Sequence, residues 1–401
     1  MHDTLPALAV SAHTATSALG RGLAAHVLAL QGMHGGLAYN DFSNAPLDCW
    51  IGRVAGLEHA PLPQALTDWE CRNNRLAWLG LQQDGFADAV RIASARHGRS
   101  RVAVLLGTST GSIGSTEDGY RHLDPDGRLP SDLRRPMIHC LHALSTFVAR
   151  VLDLDGPCLT VSTACSSSAK VYAMASRLIH TGLADAAVVG GVDTLCESVL
   201  FGFNSLELVA AEACRPFDIG RTGISIGEAA GFALLERSEH APDAVQLAGY
   251  GESSDAHHMS TPHPDGAGAE MAMRKALQRA GLDPAQVDYI NLHGTATPKN
   301  DEVEAALVAR LFPVTTRVSS SKGFTGHTLG AAGGLEATLA MLAIERGFLP
   351  GNLGCSEPDP VCADHLVLET RSADVRVALS NSFGFGGNNA CLAFTRPGIR
   401  A

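Results

Sequence analysis

The stretch LGAAGGLEATLAMLAIERG, residues 329–347, is long enough for a helix of about four turns yet has no polar face. Its interior carries one acid, Glu336, among small and aliphatic residues. A helix that is apolar all round is buried on every side. A second run of this kind follows Cys165, with Ala169 and Ala173 on one side and Val171, Met174 and Leu178 on another. One such helix in each half of the chain predicts a helical layer sandwiched between two sheets.

Strand-like runs alternate with helical ones around these two. RVAVLLG (101–107), PCLTVST (157–163), AAVVGGV (186–192) and GFALLER (231–237) read as strands. So do AVQLAGYG (244–251), VDYINLH (287–293), RVSSSKG (317–323) and VRVALSNS (375–382). Most are apolar on both faces, which suits central strands covered by helices. The Pro-containing SEHAPDA (238–244) is the expected boundary between the halves 1–240 and 241–401. The class is therefore α/β, a duplicated unit inferred from pattern because no clear sequence repeat marks it.

Composition narrows the function. With 401 residues, 45% hydrophobic and 18% charged, the chain has ample material for a large core. A formal net charge of −11 argues against a nucleic-acid partner. None of the ten cysteines forms a C-x-x-C pair, so reduced cysteines acting as small apolar fillers are expected for most. MHDTLPALAV opens with an acid where a leader wants bases, and no apolar run approaches ~18 residues. A cytoplasmic protein with no membrane insertion is expected.

One cysteine has an unusual setting. In VSTACSSSAK (161–170) a strand ends near Thr163 and a helix is expected to begin at Ser166. Cys165 then stands at a helix N-terminus, where free N–H groups and the dipole favour a thiolate, and its own N–H can join an oxyanion hole. His293 ends VDYINLH and enters GTATPKND, and His327 lies in SSKGFTGHTLGAAGG. Histidines at strand ends beside glycines project into clefts, although each could equally be a satisfied structural histidine. NSFGFGGNNA (381–390) has three glycines in four positions, either a plain hairpin turn or a loop whose N–H groups converge on an anion.

Other patterns offer weaker chemistry. GTSTG (107–111) and GISIG (223–227) match a serine nucleophile elbow at Ser109 and Ser225, but neither is clearly followed by a periodic helix. His257, His258 and His263 beside Asp255 could ligate a metal, yet they sit in a Pro-rich loop without regular spacing, so no metal is expected. Neither a Walker motif nor G-x-G-x-x-G is present.

Taken in order, VSTACSSS, NLHGTATPKND, SSKGFTGHTLGAAGG and NSFGFGGNNA resemble the β-ketoacyl-acyl-carrier-protein synthases, condensing enzymes of the thiolase superfamily. RPFDIGRTGISIGEAAGFALLER (215–237) resembles the linking segment of that family. The resemblance implies a five-layered αβαβα thiolase-like fold and a two-fold dimer. It implies Cys165 as the acyl-accepting nucleophile, and His293 and His327 as the pair that binds the malonyl thioester carbonyl and promotes decarboxylation. Lys322 would support the second histidine electrostatically, and Glu336 would be the buried acid on the next helix. Thr295 and Thr297 would hold the pantetheine arm. Phe385 would be the gate, with its N–H in the oxyanion hole. No metal or organic cofactor is implied.

The implied partners are an acyl carrier protein bearing acyl or malonyl phosphopantetheine, and a second subunit. That subunit would be either another copy or a chain-length-factor-like homologue. Arg72 and Arg75 in CRNNRLAW (71–78), three apart, are a candidate patch for the acidic carrier, with a solvated helix face as the plain alternative. GISIGEAAG and the short FNSLELVAAEACRPFD look more like the synthases of bacterial aryl-polyene clusters than housekeeping fatty-acid elongation enzymes. A thiolase would carry a second active-site cysteine where SFGFGGNN has none. A non-catalytic chain-length factor would not be expected to retain Cys165, His293 and His327 together. A serine hydrolase acting through Ser109 or Ser225 is the outsider.

Overall fold

Ten strands organise the computed structural model, which describes residues 6–42 and 46–399. The acid at Asp3 that weighed against a leader lies outside the described residues. The first five strands are β1 (Leu8–Ser17), β2 (Val102–Gly107), β3 (Cys158–Val161), β4 (Ala186–Asp193) and β5 (Ala229–Arg237). The second five are β6 (Gln246–Ser254), β7 (Tyr289–Asn291), β8 (Arg317–Ser319), β9 (Val377–Gly384) and β10 (Asn388–Thr395).

Their spatial orders are β3-β2-β4-β5-β1 and β8-β7-β9-β10-β6, so adding five to each label turns one into the other. Directions correspond as well. β2 is parallel to β3 and β4, while β5 is antiparallel to β4 and β1. β7 is parallel to β8 and β9, while β10 is antiparallel to β9 and β6. The duplication inferred from pattern is thus present as topology. A short antiparallel pairing of Leu8 with Leu247 and Ala9 with Gln246 joins the two units.

Eight helices position the site: α1 (Arg72–Leu81), α2 (Phe86–His97), α3 (Ala143–Val151), α4 (Ser167–His180), α5 (Glu197–Ser205), α6 (Ala267–Ala280), α7 (Pro298–Leu311) and α8 (Ala332–Arg346). Leu76 of α1, Phe86 of α2 and Phe147 of α3 pack with Val104 and Val188 on the outer face of the first unit. Met273 of α6 and Val308 of α7 pack with Ile290 and Leu379 on the outer face of the second. Between the units, Val171 and Tyr172 of α4 and Met341 and Ile344 of α8 share one core with Leu105 of β2 and Leu392 of β10. The result is the five-layered αβαβα thiolase-like arrangement. Residues 332–344 of α8 are all buried, as a helix with no polar face requires.

The two central helices run close together because small residues let them. A Cβ on Gly333 would stand 2.6 Å from Ala169 N, and on the strand beside them a Cβ on Gly191 of β4 would stand 2.6 Å from Ser168 Cβ of α4. Three expectations needed correction. β1 and β10 are strands that the periodicity did not reveal, and RVSSSKG is a strand only to Ser319. Beyond Ser319, the Ser320 hydroxyl donates to Gly294 O (2.7 Å) and accepts from Lys322 N–H (3.2 Å), and Lys322–Thr325 forms a helical turn. Such local side-chain bonds compete with a ladder.

Candidate active site

Segments from both units meet where the central helices begin. β3 leads through Thr163 to Ala164, whose φ of 53° is left-handed, and then to Cys165 just before Ser166, the N-cap of α4. β8 leads through the Lys322–Thr325 turn to His327, ahead of α8. β7 leads directly to His293. Cys165 Sγ lies 3.0 Å from His327 Nε2, and the two imidazole centroids are 5.3 Å apart at 84°. All three side chains are buried.

Hydrogen bonds fix the tautomers. Leu329 N–H donates to His327 Nδ1 (3.2 Å), so the proton of the neutral ring is on Nε2, facing Cys165. Lys322 Nζ lies 3.4 Å from His293 Nδ1, which accepts, so this proton too is on Nε2. Burial first, and then the Lys322 charge, hold both histidines well below their ordinary pKa. The pair therefore presents two neutral N–H donors at the cysteine.

The cysteine itself corrects an expectation. Burial pushes the Cys165 thiol up to about 11, outweighing Lys322 and the N–H groups of Phe385 and Cys165 that lie against the sulfur. The resting group is a thiol rather than a dipole-stabilised thiolate. The two N–H groups nevertheless sit where an oxyanion hole needs them. Phe385 is held by a tight turn, Phe385–Gly387, in which Gly386 and Gly387 have φ of 74° and 73°. Its ring packs on Phe203 of α5, with centroids 5.6 Å apart. NSFGFGGNNA is thus the end of β9, this turn and the start of β10.

Lys322 Nζ donates to the Glu336 carboxylate and to His293 O, and all of these groups are buried. Its hydrogen bonds go to the first histidine rather than the second, while its charge acts on both. Burial raises Glu336 to about 7 despite Lys322. Thr295 and Thr297 hold their hydroxyls 2.8 Å apart, around Ala296 with φ of 66°. Cys165, both histidines and these threonines line one cavity of about 330 Å³, whose apolar wall includes Phe203, Leu208 and Ile224.

Two acids supporting this loop were not anticipated. Glu304 accepts from His293 N–H (2.9 Å), Gly294 N–H (2.8 Å) and the Asn381 amide (3.1 Å). Asp301 accepts from Ala296 N–H and Phe217 N–H. A signal existed, because Asp301, Glu304, Ala305 and Val308 fall at i, i+3, i+4 and i+7, placing two acids on the buried face of α7.

The other candidates separate from the site. Ser225 Oγ accepts from Cys214 N–H (3.0 Å), and the Ser109 N–H donates to Asp193 (2.9 Å); among the described residues no histidine ring hydrogen-bonds the hydroxyl of either serine. His257 and His263 pack ring to ring, and His258 Nδ1 accepts from Ser260 N–H. Among the described residues, the one group of three close enough to share a cation is Cys165, His293 and His327, within 4.8 Å of one another. The Lys322 ammonium beside His293 opposes a cation there. Arg72 forks onto buried Glu228 (2.8 and 2.6 Å) and reaches Glu58, so its charge is already paired within the chain. Arg75 binds Glu70 and Glu58 O. Both arginines of the face inferred from their spacing are half-buried and paired with these acids.

Comparison with known proteins agrees with the geometry. Residues 75–241 match the N-terminal domain of β-ketoacyl synthases and residues 244–356 match the C-terminal domain. The mitochondrial 3-oxoacyl-[acyl-carrier-protein] synthase of Arabidopsis thaliana is 37% identical over 332 residues, covering 78% of this chain and 72% of that protein. The chain belongs to the β-ketoacyl synthase family. A ketosynthase solved in complex with its chain length factor from Xenorhabdus doucetiae superposes with a TM-score of 0.88 at 38% identity, covering 98% of both chains. The ishigamide ketosynthase/chain length factor structure gives a TM-score of 0.88 at 28% identity, covering 98% of this chain and 100% of that one. As a β-ketoacyl synthase the protein is an acyltransferase. No helix among its described residues is long and apolar enough to cross a membrane.

Proposed function

We propose that this synthase joins an acyl group carried on Cys165 to the two-carbon unit left when malonyl-carrier protein loses CO₂. The observation that carries the reading is the convergence of two neutral Nε2–H donors on one buried thiol. In the first half-reaction Cys165 sulfur attacks the acyl-thioester carbonyl, and the Cys165 and Phe385 N–H groups receive the oxyanion. The carrier thiol leaves with the proton that Cys165 gives up.

In the second half-reaction His293 and His327 hydrogen-bond the malonyl thioester oxygen. The C–C bond to the carboxylate breaks, and its electron pair forms an enolate stabilised by both donors. The enolate carbon attacks the acyl-Cys165 carbonyl, and the sulfur leaves and takes up one proton. CO₂ and a 3-oxoacyl thioester on the carrier are released. Neutral imidazoles suit this role because they donate hydrogen bonds without the acidity of an imidazolium, which would protonate and quench the carbanion.

Thr295 and Thr297 would guide the pantetheine arm, and Phe385, packed on Phe203, would swing as the gate. Lys322, paired with Glu336, would keep both histidines neutral. GISIGEAAG, in place of a glycine-richer segment, and the short FNSLELVAAEACRPFD favour aryl-polyene assembly over fatty-acid elongation. Likeness to ketosynthases solved with a chain length factor supports a related second subunit. β3 forms the free edge of its sheet, and Leu159 there is exposed, as a two-fold strand-to-strand contact needs. The test is intact-protein mass after incubation with acyl-carrier protein, followed by CO₂ release from malonyl-carrier protein. An acyl adduct that survives Cys165→Ala would overturn the reading.

A further inference from the structure

Three serines follow Cys165, and their hydroxyls have different tasks. Ser168 Oγ accepts Gly334 N–H (2.8 Å), a bond between the two central helices. Ser166 Oγ donates to Thr163 O (3.0 Å). Ser167 Oγ alone bridges both sides of the strained residue, accepting Thr163 N–H (2.8 Å) and donating to Ala164 O (2.6 Å). Ala164 has a Cβ and yet sits at φ 53°, a conformation that persists only where its surroundings over-determine it. The Ala164–Cys165 peptide supplies the Cys165 N–H, so the orientation of that donor is set by the same backbone torsions.

We infer that Ser167 is a positioning residue for the nucleophile elbow, its hydroxyl clamping Ala164 in the left-handed region so that Cys165 N–H points into the oxyanion hole. Ser167 is fully buried and is not among the residues that line the cavity at Cys165. It acts through the peptide it holds. Ser109 Oγ approaches Ala164 O only at 3.4 Å, and the Ser167 backbone N–H, which also donates to Ala164 O (3.1 Å), leaves Thr163 N–H unheld, so neither replaces the two-sided clamp. The inference rests on the assignment of Cys165 as the acylated residue.

Two reactions of the same sulfur separate this role from simple support of the fold. Thioester transfer needs the oxyanion hole, whereas alkylation by iodoacetamide at a fixed pH needs a reachable, ionisable sulfur and no oxyanion hole. Ser167→Ala should slow acyl transfer from an acyl-carrier protein about 10- to 100-fold, since small misplacements of catalytic donors cost this much. Alkylation of Cys165 should stay within about threefold of wild type. Ser168→Ala removes an equally buried hydroxyl that does not touch the elbow, and it should spare the ratio of the two rates. Equal losses in both reactions, an unchanged acyl transfer in Ser167→Ala, or the same selective loss in Ser168→Ala would each overturn the clamp. Labelling of Cys165→Ala by the acyl donor would instead bring down the nucleophile assignment, and the clamp with it.

Discussion

Gly384→Ala tests the oxyanion hole from the opposite wall. A Cβ at 384 would stand 3.0 Å from Thr163 O, 3.2 Å from Cys165 N and 3.2 Å from Asn388 O. All three are backbone atoms, so no side-chain end can swing aside. Gly384 has an ordinary extended backbone, φ −106°, so strain in its own torsions plays no part. The added methyl must push the Phe385 turn away from the Cys165 N–H. Overpacking of this size costs about 1–3 kcal/mol of stability, which a thermal melt reads as a shift of a few degrees. Parting the two donors is equivalent to losing one, and acyl transfer to Cys165 should fall about 10²–10³-fold. Rapid quench with intact-protein mass measures that rate, with iodoacetamide alkylation reporting whether the sulfur stays reachable. Acyl transfer within about threefold of wild type, in a variant that folds, would refute this account of the hole.

His293→Ala and His327→Ala should each still accept an acyl group on Cys165 but lose CO₂ release from malonyl-carrier protein by about 10²–10³-fold; normal CO₂ release in either would remove that residue from the enolate site. Arg72→Ala leaves the Glu228 carboxylate buried without its counter-charge, so a loss of about 3–5 kcal/mol is expected. The ratio of KM for carrier-bound and small thioesters should not move, and a carrier-specific KM effect with an unchanged melt would restore a docking role. Because the Cys165 thiol is raised to about 11, its alkylation rate should climb about tenfold per pH unit from 7 to 10; a plateau below pH 9 would contradict that. Both imidazoles lie well below their ordinary pKa, so acidification from pH 8 through 6.5 protonates neither. Malonyl decarboxylation on the acylated enzyme should therefore show no histidine titration over that range. A fall near pH 7 should be removed by Glu336→Gln or Glu304→Gln, because burial raises both acids to about 7. A fall centred at 6.5 that persists in both variants would show a histidine with an ordinary pKa.

What could be read without coordinates was chemistry in an odd place. A thiol at a helix mouth, histidines at strand ends and a glycine-dense turn are each poor choices for a core, and they converge here. Burial was harder to see. β1 hid because His13, Thr14 and Thr16 break its apolar pattern, yet all three are buried. His13 lies 3.0 Å from Glu345 and Thr14 donates to Asp84 (2.7 Å), partners that are distant in the chain. The same blindness hid the partners of Arg72 and Arg75: spacing tells which residues share a helix face, and only tertiary contacts tell what that face meets. The cysteine pKa went wrong for a related reason. The helix N-terminus is a local feature, whereas the desolvation that outweighs it comes from the whole fold.

The duplicated topology explains why there is one active site and not two. Each unit sends its third strand into a central helix, β3 into α4 and β8 into α8, and the two junctions carry Cys165 and His327. Each unit also ends its second strand in a polar loop. After β7 that loop carries His293, whereas after β2 it is GTSTG, whose Thr108, Ser109 and Thr110 bind the buried Asp193. The serine pattern that mimics a nucleophile elbow is therefore the first unit's structural counterpart of the histidine loop. On the proposed mechanism one unit supplies the nucleophile and the other the donors for the enolate, and neither is complete alone. They can cooperate because Gly333 on Ala169, and Ser168 Oγ beneath Gly334 N–H, let the N-terminal turns of α4 and α8 lie in contact. That contact brings sulfur and imidazole to 3.0 Å. The small-residue composition that made the central helices look unlike amphipathic ones is thus a geometric condition for the chemistry.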